Sequence, residues 1–169
     1  MFAPRQLDEA RRLLAAFRAQ GLTIVTAESC TGGLIAALLT EIPGSSEVFE
    51  RGFVTYSNAA KCACLGVPPG LLVRDGAVSE AAARAMAAGA LIHSKATVAV
   101  AVTGLAGPGG GSAAKPVGLV HVALARVDGL SWHQECRFGA LGRDRVRGET
   151  VEVALTLLWR ALAPTAARP

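Results

Sequence analysis

"LTIVTAESCTGGLIAALLTEI", residues 22–42, decides the fold. Its first six residues are a β-branched run that predicts a strand, and from Thr31 onward the apolar spacing predicts a helix ending near Ile42, before Pro43. Between them stand a carboxylate, a hydroxyl, a thiol and a second hydroxyl, Glu28, Ser29, Cys30 and Thr31, followed by Gly32 and Gly33. Strand, polar turn and helix form the building unit of an α/β sheet, and such sheets hold ligands at the carboxyl ends of their strands.

The same alternation continues on both sides. Residues 7–18 carry Leu13, Leu14 and Phe17 on one helical face with arginines opposite, and Gly21 stops that helix. "RGFVTYS" (51–57) predicts a second strand, "NAAKCACLGV" (58–67) a short helix, and "SEAAARAMAAGALIH" (79–93) a longer helix capped by Ser79. "ATVAVAV" (96–102) is a continuous β-rich run, expected to be buried on both faces at the sheet centre. The glycine-dense residues 103–118 forbid regular structure. "LVHVALARV" (119–127) and "SWHQECRF" (131–138) predict an antiparallel hairpin turning near Val127-Asp128-Gly129, and a last helix follows over 143–162. The pattern predicts a three-layer α/β/α sandwich with a mixed, mostly parallel five-stranded sheet. Residues 1–169 read as one domain, without internal repeat or linker.

Composition excludes several classes. With 169 residues, of which 51% are hydrophobic, the chain can bury a full core without staples. No run of 18 apolar residues occurs, and the charges of "MFAPRQLDEARRLL" fall where a signal peptide needs its apolar region, so the expected location is the cytoplasm, without membrane attachment. Cys30, Cys62, Cys64 and Cys136 lack the density of a disulfide scaffold and read as free thiols. Cys62 and Cys64 are separated by one residue and have no second pair, which argues against a metal site. His93, His121 and His133 are scattered and read as surface or strand residues. The net charge of +4 suits an anionic small molecule and is too small to argue for nucleic acid.

The polar turn admits two readings. The backbone N–H groups of Thr31, Gly32 and Gly33 would be unpaired at a helix start, ready for an anion or a developing oxyanion. Alternatively, Ser29 or Thr31 is only a cap, and Glu28 only a carboxylate complementing the helix dipole. The second strand supplies company in Tyr56, Asn58 and Lys61, which the sheet would bring beside the first strand's end. A lysine whose pKa is lowered by burial can serve as base to a serine, and a tyrosine can orient or relay the proton. Ser29, Tyr56 and Lys61 form such a constellation; a solvated lysine and a packed strand tyrosine are the plain alternatives. Ser29 ranks above Cys30, because no histidine lies nearby to activate the thiol.

These residues, with "PGSSEVFERGFVTYSN", "GAVSE", "VTGLAGPGGGSAAKPVG" and a closing arginine helix in the same order, resemble the C-terminal domain of the CinA (competence/damage-inducible protein) family from about residue 7 to residue 160. The resemblance implies a metal-free, cofactor-free amidase that hydrolyses the carboxamide of nicotinamide mononucleotide to the acid and ammonia, in pyridine nucleotide recycling. It implies Ser29 as nucleophile, Lys61 as its base and Tyr56 as the assisting hydroxyl.

The remaining candidates fit the same picture as substrate contacts. Gly107, Gly109 and Gly110 would let backbone N–H groups approach a ribose phosphate, and Thr103 could offer a hydroxyl. Arg143 and Arg147, one helical turn apart, could clamp the phosphate together. The segment "FGALGRDRVR" departs from the family pattern by an extra residue, so Arg143 is aligned with the first family arginine and Arg145 is the alternative. Longer family members carry a preceding nucleotide-processing domain whose activity is not expected here. An amidase for another small carboxamide, or a catalytically silent nucleotide-binding regulatory domain, are the competing readings. The Ala-rich helix over 81–90 would suit packing in a homo-oligomer.

Overall fold

A computed structural model describes residues 2–163. Five strands form one sheet in the order β2-β1-β3-β4-β5. They are β1 (Ile24–Glu28), β2 (Phe49–Val54), β3 (Val98–Gly104), β4 (Leu119–Arg126) and β5 (Ser131–Arg137). β1 pairs in parallel with β2 and with β3, whereas β4 is antiparallel to both β3 and β5. Four of the five strands therefore point the same way, which makes the sheet mixed and mostly parallel, as expected.

Two helical layers cover it. On one face α1 (Pro4–Ala19), α2 (Leu34–Thr40) and α6 (Arg143–Arg160) pack together; on the other lie α3 (Asn58–Leu65), α4 (Pro69–Asp75) and α5 (Glu80–Ile92). The alternation along β3 explains the division: Val98, Val100 and Val102 join the α1/α2/α6 core, while Ala99 and Ala101 face α5. Small residues on that second face let α5 approach closely. Gly89 sits so near the Leu65 carbonyl that an added Cβ would lie 2.0 Å from its oxygen. In α1 the fully enclosed residues are Ala10, Leu13, Leu14 and Phe17, the stripe that its periodicity predicts. Each large member contributes about 1.5–3 kcal/mol by leaving water.

Two boundaries and two short elements differ from the sequence reading; the second strand runs over Phe49–Val54 instead of 51–57, because the chain leaves the sheet at Thr55 before the Ser57 cap of α3. The helix after β1 begins at Leu34 and not at Thr31, because Gly32 and Gly33 both adopt positive φ and prolong the turn. α4 was not anticipated: it is short, and it begins with Pro69 following Pro68, which reads locally as a loop. A brief 3-10 turn at Ser45–Glu47 was missed for the same reason of length. The Ser79 cap stands as expected, its side chain accepting from the Ala82 N–H. Among the described residues no helix is long and apolar enough to cross a membrane.

From β1 the chain crosses by α2 on one face to β2, and from β2 by α3, α4 and α5 on the other face to β3. The connections leaving the carboxyl ends of β1 and β2 thus depart to opposite faces, and the chain order reverses about β1, between β2 and β3; the carboxyl end of the sheet at such a reversal is the position at which these folds take ligands.

Candidate active site

Glu28 closes β1 and organises everything that follows it. Its carboxylate is fully buried and accepts four hydrogen bonds, from the Thr31 hydroxyl at 2.7 Å, the Gly33 N–H at 3.0 Å, the Ile35 N–H at 3.1 Å and the Ala36 N–H at 2.9 Å. The opening donors of α2 are thus satisfied by the protein's own anion. This corrects the expectation for two of the three amides, Gly32 and Gly33, that were read with Thr31 as awaiting a ligand. Gly33 donates to Glu28, and Gly32 donates to the Ser29 carbonyl at 3.1 Å. Glu28 is a cap in this structure and stands outside the lining of the cavity at Ser29.

Ser29 is held immediately beyond the strand, its N–H donating to the Val102 carbonyl of β3 at 3.0 Å. Its Oγ lies 3.0 Å from Lys61 Nζ. Lys61 comes from α3, whose inner face carries Lys61 and Leu65 one turn apart, and the amine also donates to the Thr55 carbonyl at 2.9 Å. With 1% exposure, Lys61 is one of the largest fully buried side chains in the protein. Burial pushes its pKa below the usual lysine range, outweighing the opposing influence of the neighbouring Cys30 and Cys62. An amine so placed, with no carboxylate bonded to it among the described residues, gives up its own proton more readily than an ordinary lysine and stands where it can then take one from the serine. Cys30 points elsewhere chemically: burial pushes its thiol up to about 11, which leaves it protonated and a poor nucleophile.

The Ser29–Lys61 pair forms the floor of a cavity of about 250 Å³. Tyr56 and Asn58 line one side, Ala77 and Val78 another, and the segment from Thr103 to Gly107, with Gly109, a third. Arg143, from the first turn of α6, crosses the mouth, with Nη1 donating to the Gly107 carbonyl at 3.1 Å and Nη2 to the Tyr56 hydroxyl at 2.9 Å. Gly107 takes φ +80°, and a Cβ there would meet the Val117 side chain at 2.6 Å, so only glycine fits this bend.

The CinA C-terminal domain family matches residues 7–162 of the chain. The chain belongs to the CinA C-terminal domain family. Among its relatives, the nicotinamide-nucleotide amidohydrolase PncC of Escherichia coli (strain K12) is 50% identical over 147 residues, 86% of this chain and 87% of the relative. A putative competence-damage inducible protein of Caldicellulosiruptor bescii is 52% identical over 137 residues, 81% of this chain but 33% of that longer protein. The crystal structure of the competence/damage inducible protein CihA from Agrobacterium tumefaciens superposes with a TM-score of 0.93 at 54% identity, covering 96% of this chain and 98% of that one.

Within this CinA-type domain the candidate residues divide. Ser29, Tyr56, Lys61, Asn58, Thr103, Gly107, Gly109 and Arg143 line one cavity. Glu28, Thr31, Gly32, Gly33, Gly110 and Arg147 stand outside its lining. Arg143 and Arg147 do not converge: Arg147 reaches behind the cavity, where Nη2 donates to the Thr31 carbonyl at 2.8 Å. Tyr56 is 61% exposed and its hydroxyl bonds Arg143, not the Ser29–Lys61 pair. The Thr103 hydroxyl is directed to the Ala77 carbonyl at 2.7 Å, tying β3 to the loop before α5. Ala77 and Val78 escaped the sequence reading, since small apolar residues in a connection carry no chemical signal. Their place in the "GAVSE" block, beside the Ser79 cap, was the available hint.

Proposed function

We propose that the chain hydrolyses the carboxamide of nicotinamide mononucleotide to nicotinate mononucleotide and ammonia, by an acyl-enzyme route carried by Ser29 and Lys61 within a single amidase domain. The observation that carries the reading is the 3.0 Å approach of a buried amine to a serine hydroxyl at the carboxyl end of β1. The substrate is suggested by the family relatives named nicotinamide-nucleotide amidohydrolase, which share half of their aligned residues with this chain.

Ser29 Oγ attacks the carboxamide carbon and gives its proton to neutral Lys61 Nζ. The resulting ammonium delivers that proton to the amide nitrogen as the tetrahedral adduct collapses, the C–N bond breaks, and ammonia leaves an ester on Ser29. Water then adds to the ester, its proton passing to Lys61 and on to Ser29 Oγ as the acid departs. Of the turn's amides, those of Ser29, Gly32 and Gly33 are bonded within the protein, and of the other two, Cys30 and Thr31, only Cys30 lines the cavity, so its N–H, next to the nucleophile, is the donor for the oxyanion. Arg143 offers the cation for the nucleotide's phosphate, and Tyr56 assists from the mouth, its hydroxyl setting the guanidinium.

The test is ammonia release from nicotinamide mononucleotide by the wild-type chain and by Ser29→Ala and Lys61→Ala. Release by the wild type alone supports the reading. Release by Ser29→Ala at the wild-type rate removes Ser29 from the chemistry, and no release by the wild type refutes the substrate.

A further inference from the structure

Arg143 and Arg147 leave the same helix one turn apart and perform different tasks. Arg143 points into the cavity mouth, while Arg147 runs under the turn that carries Ser29. Its Nη2 bonds the Thr31 carbonyl at 2.8 Å, and a Cβ on Gly32 would lie only 3.6 Å from that nitrogen. The neighbouring Nε is buried without a hydrogen-bond partner among the described residues. Arg147 is thus engaged with the protein's own backbone and stands outside the cavity lining.

Thr31 is consequently gripped at two atoms. Its hydroxyl is bonded to Glu28 and its carbonyl to Arg147. Ser29 lies two residues upstream in the same turn, closed on itself by the Gly32 N–H to the Ser29 carbonyl. The helix that supplies Arg147 cannot readily shift, because Val146, Thr150 and Val151 around it are buried in the core. The Thr31–Gly32 peptide is therefore pinned from α6, while Lys61 reaches Ser29 from α3.

We infer that Arg147 is a positioning residue: by anchoring the Thr31 carbonyl it holds Ser29 Oγ at attacking distance from the substrate and bonding distance from Lys61, and it makes no contact with the nucleotide phosphate. This inference rests on the reading of Ser29 as nucleophile. A small misplacement of an attacking atom costs on the order of 100-fold in rate, whereas substrate affinity depends on other contacts.

The experiment compares wild type, Arg147→Met, Arg147→Lys and Arg143→Ala in steady-state ammonia release from nicotinamide mononucleotide, with rates normalised to folded protein by circular dichroism and thermal melting. Arg147→Met is expected to lose about 10- to 100-fold in kcat with the KM for the nucleotide within about twofold of wild type. Arg147→Lys, which retains a donor, recovers part of kcat. Millimolar guanidinium added to Arg147→Met raises its rate without affecting wild type. Arg143→Ala shows the opposite split, with KM raised. Should Arg147→Met fail to fold, the kcat-to-KM split of Arg147→Lys decides. An unchanged kcat, or a rise in KM for the nucleotide that spares phosphate-free nicotinamide, overturns the inference. A wild type that releases no ammonia fails at the earlier reading instead, so the two failures are distinguishable.

Discussion

Replacing Glu28 by Gln removes one oxygen atom from a site where every contact is a donor. Oε2 accepts from the Thr31 hydroxyl and from the N–H groups of Gly33 and Ile35, and Oε1 accepts from the Ala36 N–H alone. The least damaging orientation of the amide leaves its oxygen at the three-donor position and turns its NH₂ toward Ala36. One backbone donor then loses its acceptor and faces another donor, at about 1–3 kcal/mol. The three surviving bonds lose their charge assistance, roughly 1 kcal/mol each, and the start of α2 loses its complementing anion, a further ~0.3–1 kcal/mol. Against this, a neutral amide is easier to bury than a carboxylate by several kcal/mol. The net expectation is a loss of about 2–4 kcal/mol, which a urea titration reads as a lower midpoint at unchanged slope. Activity per folded molecule should fall as well, because the turn carrying Ser29 hangs on the same carboxylate. An unfolding free energy within about 0.5 kcal/mol of wild type would refute the claim that Glu28 holds the turn.

Other consequences follow from single contacts. Lys61 has a depressed folded-state pKa, so the unfolded chain binds the extra proton between the depressed value and the ordinary one. Stability should therefore fall as pH drops from the ordinary lysine range toward the depressed value, and Lys61→Met should flatten that dependence in denaturant titrations; a fall in the other direction contradicts the assignment. In the same way kcat/KM should rise with pH to a midpoint below about 10.4, the ordinary lysine value, as the base becomes neutral. Arg143→Ala should raise KM for nicotinamide mononucleotide by about tenfold or more while leaving the rate on nicotinamide nearly unchanged, and an equal effect on both would deny it a phosphate role. Gly89→Ala places a Cβ 2.0 Å from the Leu65 carbonyl oxygen and 2.9 Å from its carbon, so thermal melting should show a loss of about 1–3 kcal/mol or more.

The sequence made the centre of the sheet readable because β1, β3 and β4 are rich in β-branched and apolar residues, as in "ATVAVAV", whereas β2, "FERGFV", carries one β-branched residue and begins two residues before the reading placed it; the long helices were marked by a cap or a stop, such as Ser79 or Gly21. It also brought Ser29 and Lys61 to notice, since a hydroxyl after a strand and a lysine soon after the next strand are local signals. What it did not reveal depends on side-chain direction. Arg143 and Arg147 share a helical face by spacing alone, yet the α2 turn intervenes, so that one reaches the cavity and the other the Thr31 carbonyl. Glu28 read equally well as a ligand contact or as a cap. Only the prolonged turn at Gly32 and Gly33, which folds the opening amides of α2 back over the carboxylate, decides for the cap. Tyr56 was near the pair in sequence but extends away from it to Arg143, a partner 87 residues further on.

The central claim is that Ser29, activated by buried Lys61, attacks a carboxamide. The most direct measurement is mass spectrometry of the protein quenched during turnover of nicotinamide mononucleotide, run beside Ser29→Ala and beside an ammonia assay. The account predicts ammonia release accompanied by a nicotinate mononucleotide ester on the peptide containing Ser29, both absent in Ser29→Ala. Ammonia released at the wild-type rate by Ser29→Ala, or an adduct on Cys30 in place of Ser29, would contradict it.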